Sequence, residues 1–341
     1  MCTVCETDPR TGMSRRRLLA GFAAVAAAGA ATRPALAMPP SACFSPAALA
    51  GTPAERLAHR PTAADAVIAP VPAEAGPPVA GPLAGVIRHV ELPAGQKLIA
   101  LTFDLCQTRG SVAGYDGAIV DYLRSETVPA TFFAGGLWLA THRERAVQLA
   151  ADPLFELGNH SWTHHDLHSA TGSVVADEIL RTEAALADTR AAARTVCERA
   201  RLTGGPRLFR FPYGSCAPAP LAAVNALGSV VIQWSVVSGD PDGTSGATIS
   251  HAVLAEAKPG SIVVMHANGR GTHTAEALRA IVPALRARGF TFATVAELLA
   301  AGRPVAAADC YLEREGDTAR YDDPSLFKAE HPAKKVIQVR G

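Results

Sequence analysis

The chain has 341 residues, of which 48% are hydrophobic and 18% charged, and 32 basic side chains against 31 acidic ones leave a formal net charge of +1. So much apolar material excludes a disordered chain, and so even a charge balance lacks the positive field of a general nucleic-acid binder. At roughly 150 residues per domain, the length suits two domains, or one large domain with extensions.

Taken in chain order, the first 37 residues read as a targeting segment. Ser14-Arg15-Arg16-Arg17-Leu18-Leu19 is a twin-arginine pattern, followed by an uncharged run over residues 18–31 and a small-residue cleavage site at Ala35-Leu36-Ala37. Fourteen uncharged residues fall short of the roughly 20 needed to cross a bilayer. The expectation is export by the twin-arginine machinery to the periplasm or beyond, with Met13 an alternative start and no membrane span in the mature protein. Five of the seven cysteines follow residue 37. Export permits disulfides, an odd number leaves at least one thiol unpaired, and the pairing stays open.

Residues 38–84 hold ten of the 25 prolines, among alanines and few large apolar side chains. That texture predicts a linker, or a segment draped over the domain. From about residue 85, β-rich runs at 98–105, 130–134, 155–159, 208–211, 230–237, 261–266 and 290–294 alternate with amphipathic stretches at 117–124, 137–151, 174–193, 218–226, 249–257 and 274–288. Alternation of this kind predicts an α/β architecture. Asp104, His160, Arg210, Asp240 and His266 each fall at or just past the end of a different predicted strand. Polar residues from many strand ends converge at the mouth of a barrel, so the expected fold is a distorted (β/α) barrel of about seven strands over residues 85–302. Residues 303–341, charged and poor in apolar side chains, are expected to be a C-terminal extension.

Five segments carry chemistry. His160-Ser161-Trp162-Thr163-His164 places two imidazoles four residues apart, able to face one metal ion, although a solvated polar loop reads equally well. Asp104 ends the run Leu98-Ile99-Ala100-Leu101-Thr102-Phe103 and is a general base, a metal ligand or a helix cap. Arg210-Phe211-Pro212-Tyr213-Gly214 follows a strand, so that the backbone N–H of Tyr213 is placed to meet an oxyanion, or else the segment is a proline-stiffened loop. His266, after Ile262-Val263-Val264-Met265, is a general acid or a structural histidine, and Val237-Ser238-Gly239-Asp240 adds another carboxylate at a strand end.

Taken together, these segments resemble the polysaccharide deacetylase family, the carbohydrate esterases with a NodB-homology domain. The family's T-F-D-D pattern matches Thr102-Phe103-Asp104-Leu105, its H-[S/T]-x-x-H pattern His160 to His164, its R-x-P-Y pattern Arg210 to Tyr213 and its late L-x-H pattern Val264-Met265-His266. A D-x-x-D-like segment survives in part at Val237 to Asp240, and the resemblance runs over about residues 85–300. It implies a hydrolase that removes N-acetyl groups from an envelope or extracellular glycan with one divalent ion, zinc foremost, with cobalt, nickel or manganese as alternatives. Asp104 is then the base that takes a proton from the attacking water. His160 and His164 are metal ligands, and His266 is the acid for the leaving amine. Tyr213 serves as the oxyanion donor, with Arg210 and Asp240 as a supporting pair that orients the base.

The departure that matters falls in the first motif. Leu105 stands where a second aspartate usually supplies the third metal ligand, and Cys106 follows it. Asp116 is the nearest carboxylate able to substitute. Cys106 is a buried structural thiol on the plainest reading, though a thiolate is also a soft-metal donor. Two histidines with water are a further alternative. If none of these holds a metal, the chain is a glycan-binding protein; a small non-sugar amide is the remaining alternative substrate.

Overall fold

The computed structural model describes residues 42–57, 70–108, 111, 113–197 and 205–311. The expected targeting segment, parts of the proline-rich stretch and residues 312–341 lie outside the described residues. Ten strands are described: β1 Val86–Glu91, β2 Leu98–Leu105, β3 Ala130–Ala134, β4 Phe155–Asn159, β5 Arg207–Phe209, β6 Ser229–Ile232, β7 Val236–Val237, β8 Ile262–His266, β9 Thr291–Phe292 and β10 Arg303–Ala307. The helices are α1 Pro46–Leu49, α2 Gly117–Ser125, α3 Gly136–Thr141, α4 Arg143–Ala151, α5 Gly172–Val196, α6 Pro218–Ala226, α7 Gly246–Glu256, α8 Thr274–Ala287 and α9 Val295–Ala301.

The sheet runs β10-β1-β6-β5-β4-β3-β2-β8-β7, with β9 added alongside β2. Every pairing among β2 to β9 is parallel. The sheet curls because β6 and β7 are pieces of one stretch. β6 pairs with β5, and after three residues β7 pairs with β8. The Gln233 N–H still donates to Ile87 O, whereas Ser235 N–H donates to Ile262 O, so the switch of partner falls between them. A single stretch of chain thus joins two ends of the sheet into a distorted barrel, and the expected continuous strand at 230–237 is split by that switch.

Strict alternation along β2 makes the layers. Ile99, Leu101, Phe103 and Leu105 pack with side chains of α2, α7 and α8, including Ile119, Leu123, Ile249, Leu278 and Leu285. Ala100 shares the barrel interior with Phe133, Leu208, Ile232 and Ile262. A second outer layer joins Phe209, Phe211 and Val231 to Val175, Ile179, Leu221 and Val224 of α5 and α6. Parallel strands buried on both faces read as largely apolar runs, which is why β2 and β3 match their predicted limits; β4, with Glu156 and Asn159 in it, matches its limits as well.

Three predicted elements differ for local reasons. The helix expected at 137–151 breaks at His142 (φ −118°, ψ 39°), whose ring stacks on Trp138 at 4.9 Å. The strand expected at 208–211 ends at Phe209, and the backbone N–H of Arg210 donates to Asn159 O. The strand expected at 290–294 is only β9, because Thr294 leaves the sheet to cap α9 in a capping box with Glu297.

Two strands lie outside the sequence expectation. β1 pairs parallel with β6 and antiparallel with β10, so the sheet continues past residue 302. The described proline-rich residues lie along the outside of the domain, where the N–H groups of Ala73, Gly76 and Val79 donate to carbonyls of Leu180, Leu227 and Asn225. Disulfides Cys43–Cys197 and Cys216–Cys310 fasten the two flanking segments to the barrel. No described helix is long and apolar enough to cross a membrane.

Candidate active site

The strand ends carry one connected polar cluster. Asp104 is almost wholly buried at the end of β2. Its Oδ1 accepts from Nη1 of Arg210 at 2.8 Å, and Oδ2 lies 3.7 Å from Nε2 of His160. Burial alone would raise the carboxyl pKa, but the Arg210 guanidinium above all, by its charge and its hydrogen bond, outweighs it and holds Asp104 below the ordinary aspartate value. A carboxylate kept ionised beside a histidine and a cleft has the character of a base.

Arg210 has no exposed surface. Its guanidinium lies over the Phe133 ring at 4.0 Å, and its other N–H groups donate to Ile232 O and Gln233 O at 3.3 Å. Those two carbonyls belong to the stretch where the sheet switches partners, so closure of the barrel and orientation of Asp104 share one side chain. Asp240 serves a different group. Its Oδ1 bonds Nδ1 of His266 at 2.9 Å, while Oδ2 accepts from His266 N–H and from Thr274 Oγ1, each at 2.7 Å. Arg210 and Asp240 therefore do not form the expected pair: the first holds the carboxylate of Asp104, the second the imidazole of His266. Burial pushes the His266 pKa down, yet Asp240 and, more weakly, Asp104 outweigh it, so the imidazole stays protonated to higher pH than an ordinary histidine.

A glycine maintains that second pair. A Cβ on Gly271 would stand 2.2 Å from Thr274 Oγ1 and 2.4 Å from Asp240 Oδ2. Gly271→Ala is expected to cost about 1–3 kcal/mol of stability and to loosen His266, lowering turnover. Urea unfolding alongside kinetics tests this; an unchanged midpoint and rate would show that the loop yields freely.

The segment from His160 to His164 is a bend with two residues in the left-handed region, Ser161 (φ 63°) and His164 (φ 57°). Its shape is fixed from both sides. Asn159 Oδ1 accepts from Ser161 N–H at 3.0 Å, and the Glu178 carboxylate on α5 accepts from Thr163 N–H and Oγ1 at 2.8 and 2.6 Å. The bend brings the two imidazole rings to 5.0 Å. Burial lowers the pKa of both histidines, of His164 well below the usual value, which favours the neutral form that metal ligation uses. His160 Nδ1 faces Arg210 O at 2.9 Å, which leaves Nε2 directed into the site. His164 Nδ1 is buried without a hydrogen-bond partner.

Cys106 completes the arrangement. Its Sγ and one ring nitrogen from each of His160 and His164 lie within 4.8 Å of one another, all three residues being buried. Two neutral imidazoles, one of them with an orphaned nitrogen, and a sulfur form a donor set that suits zinc and similar divalent ions. Asp116, the candidate substitute ligand, is not in this group; it faces Arg56 at 3.3 Å. Leu105 points into the outer core with no exposed surface. Tyr213 sits in the left-handed region (φ 60°), its ring 4.5 Å from that of His164 and 42% exposed at the edge of the site.

Sequence reasoning did not single out Asn159 or Glu178, whose part is to shape the histidine bend. Asn159 was visible as the residue closing β4, whereas nothing in the local pattern of α5 marks Glu178.

Comparison with known proteins points to one family. The polysaccharide deacetylase family model matches residues 91–232. A chitooligosaccharide deacetylase from Bradyrhizobium is 32% identical over 222 residues, covering 61% of this chain and 94% of that protein. This chain belongs to the polysaccharide deacetylase family. A peptidoglycan-N-acetylglucosamine deacetylase from Bacillus cereus is 30% identical, covering 60% of this chain and 68% of that one. Among solved structures, a peptidoglycan N-acetylglucosamine deacetylase superposes with a TM-score of 0.53 at 25% identity, covering 64% of this chain and 94% of its own.

Proposed function

We propose that the protein is a metal-dependent deacetylase that hydrolyses the N-acetyl amide of an envelope or extracellular glycan. The observation that carries this reading is the convergence, at one end of the barrel, of Asp104 held by Arg210, paired imidazoles at His160 and His164, and His266 held by Asp240. An amide is a poor electrophile with a poor leaving group, so its hydrolysis needs an activated water, a polarised carbonyl and a proton for nitrogen. His160 and His164 hold a divalent ion, zinc foremost, and such an ion supplies Lewis-acid polarisation of the acyl oxygen. Asp104, held by Arg210, takes the proton of the attacking water. The backbone N–H of Tyr213 donates to the developing oxyanion. His266, held by Asp240, gives its proton to the departing amine.

The twin-arginine pattern supports a working place in the periplasm or outside the cell, and the two disulfides agree with an oxidising compartment. In that reading residues 1–37 are the leader and 38–84 the linker, and the catalytic domain runs from about residue 85 through β10 at 303–307, with an extension after it.

The test is acetate release from N-acetylglucosamine oligomers, with the metal content of the protein measured before and after chelation. Release that falls with chelator and returns with zinc is expected. Folded, metal-loaded protein that releases no acetate would move the search to other amides, and a protein that holds no metal would be a glycan binder.

A further inference from the structure

The third corner of the proposed metal site has no carboxylate. Leu105 is committed to the outer core, and Asp116 faces Arg56. Asp104 Oδ1 is committed to Arg210. What does stand at that corner is sulfur. Cys106 follows β2 two residues after Asp104, is 5% exposed, and is the free cysteine among the described residues. Its Sγ lies with the imidazole nitrogens of His160 and His164, and it accepts from Nδ2 of Asn268 at 3.0 Å. The same Nδ2 donates to Cys106 O at 2.7 Å, which fixes the residue that carries the sulfur.

We propose that Cys106 is the third protein ligand, so that the centre is a Cys-His-His site selective for soft or borderline divalent ions, zinc well ahead of manganese or magnesium. The inference rests on the reading of His160 and His164 as metal ligands. Three protein donors with a further position open is the pattern of catalytic rather than structural zinc. On binding, the S–H bond breaks, the proton passes to solvent, a sulfur–metal bond forms, and no electron is transferred. Asn268 then acts as a positioning residue, its N–H directed at the sulfur. A thiolate in place of a carboxylate keeps the negative charge of the ligand set while moving its affinity toward softer ions.

The experiment is titration of metal-free full-length protein with cobalt(II) and cadmium(II). It reads thiolate-to-metal charge-transfer absorption and measures affinity by chelator competition. Wild type should bind about one ion with that absorption. Cys106→Ser should lose the absorption and bind at least about tenfold more weakly, since disturbing even outer contacts of a metal site commonly costs that much. Cys106→Asp should bind without the absorption and gain relative affinity for manganese. Because Ser could disturb packing, thermal unfolding of both variants accompanies the titration. Cobalt binding that needs His160 and His164 but shows no charge transfer, with Cys106→Ser unchanged, overturns the ligand assignment and leaves the deacetylase reading intact. Charge transfer without acetate release supports the ligand and sinks the deacetylase reading. A folded wild type that binds neither ion overturns both.

Discussion

Asp104→Asn is expected to lower acetate release by about 10²–10⁴-fold, the usual worth of a positioned general base, while metal content stays near that of wild type. The two halves of the expectation have separate grounds. Asn keeps the shape of the side chain but cannot take a proton. Asp104 is not among the three donors that close on one point, so the metal should remain. Loss of metal together with activity would make Asp104 a ligand, and normal turnover would remove it from the base role. Circular dichroism and a melting curve are needed beside the kinetics, because the substitution also deprives Arg210 of its partner.

Arg210→Met carries the largest expected loss of stability. It removes a buried cation and leaves the Asp104 carboxylate unpaired in a site that is almost wholly dry. Breaking one half of a buried ion pair costs about 3–5 kcal/mol, and here the Ile232 and Gln233 carbonyls lose their donor as well. The double variant with Asp104→Asn should recover part of that loss. A coupling energy above about 1 kcal/mol in the cycle would show direct interaction; additive effects would show that Arg210 stabilises the barrel through its carbonyls and the Phe133 ring instead. Arg210→Lys should fall between, since an ammonium keeps the charge without the planar fork that reaches three acceptors.

Much of this was legible in the sequence, for identifiable reasons. β2 and β3 are central and buried on both faces, so each shows as a largely apolar run, whereas β4 holds Glu156 and Asn159 and was marked by Phe155 and Leu157 alternating with them. β1 shows no such run, because Arg88 and His89 interrupt it; Arg88 is buried nonetheless, with its guanidinium over the Tyr311 ring. That contact joins residues more than 200 positions apart, and no local pattern reports it. β10 contains Pro304, which reads as a strand breaker but is tolerated on an edge. In the site, Asp104, His160, Arg210, Asp240 and His266 were readable as strand-end polar residues, and His164 by its spacing of four from His160. The partition of Arg210 to Asp104 and of Asp240 to His266 was not, since it depends on where the β6–β7 switch carries two carbonyls. Cys106 had a signal: carried one residue past β2, the two-residue alternation puts position 106 on the side of Asp104 and opposite to Leu105.

The pairing of β1 with β10 sets an order on assembly. β1 meets β6 at only two register positions, Val86 with Val231 and Ile87 with Ile232, whereas β10 flanks it at five. A chain emerging from the ribosome can close the barrel once β8 is made, but β1 keeps an open edge until residues 303–307 arrive. Such long-range closure is slow because the intervening loop must surrender its entropy first. During synthesis the exposed edge offers unpaired backbone groups to other chains, and of the described strands the last translated is the one that seals the first.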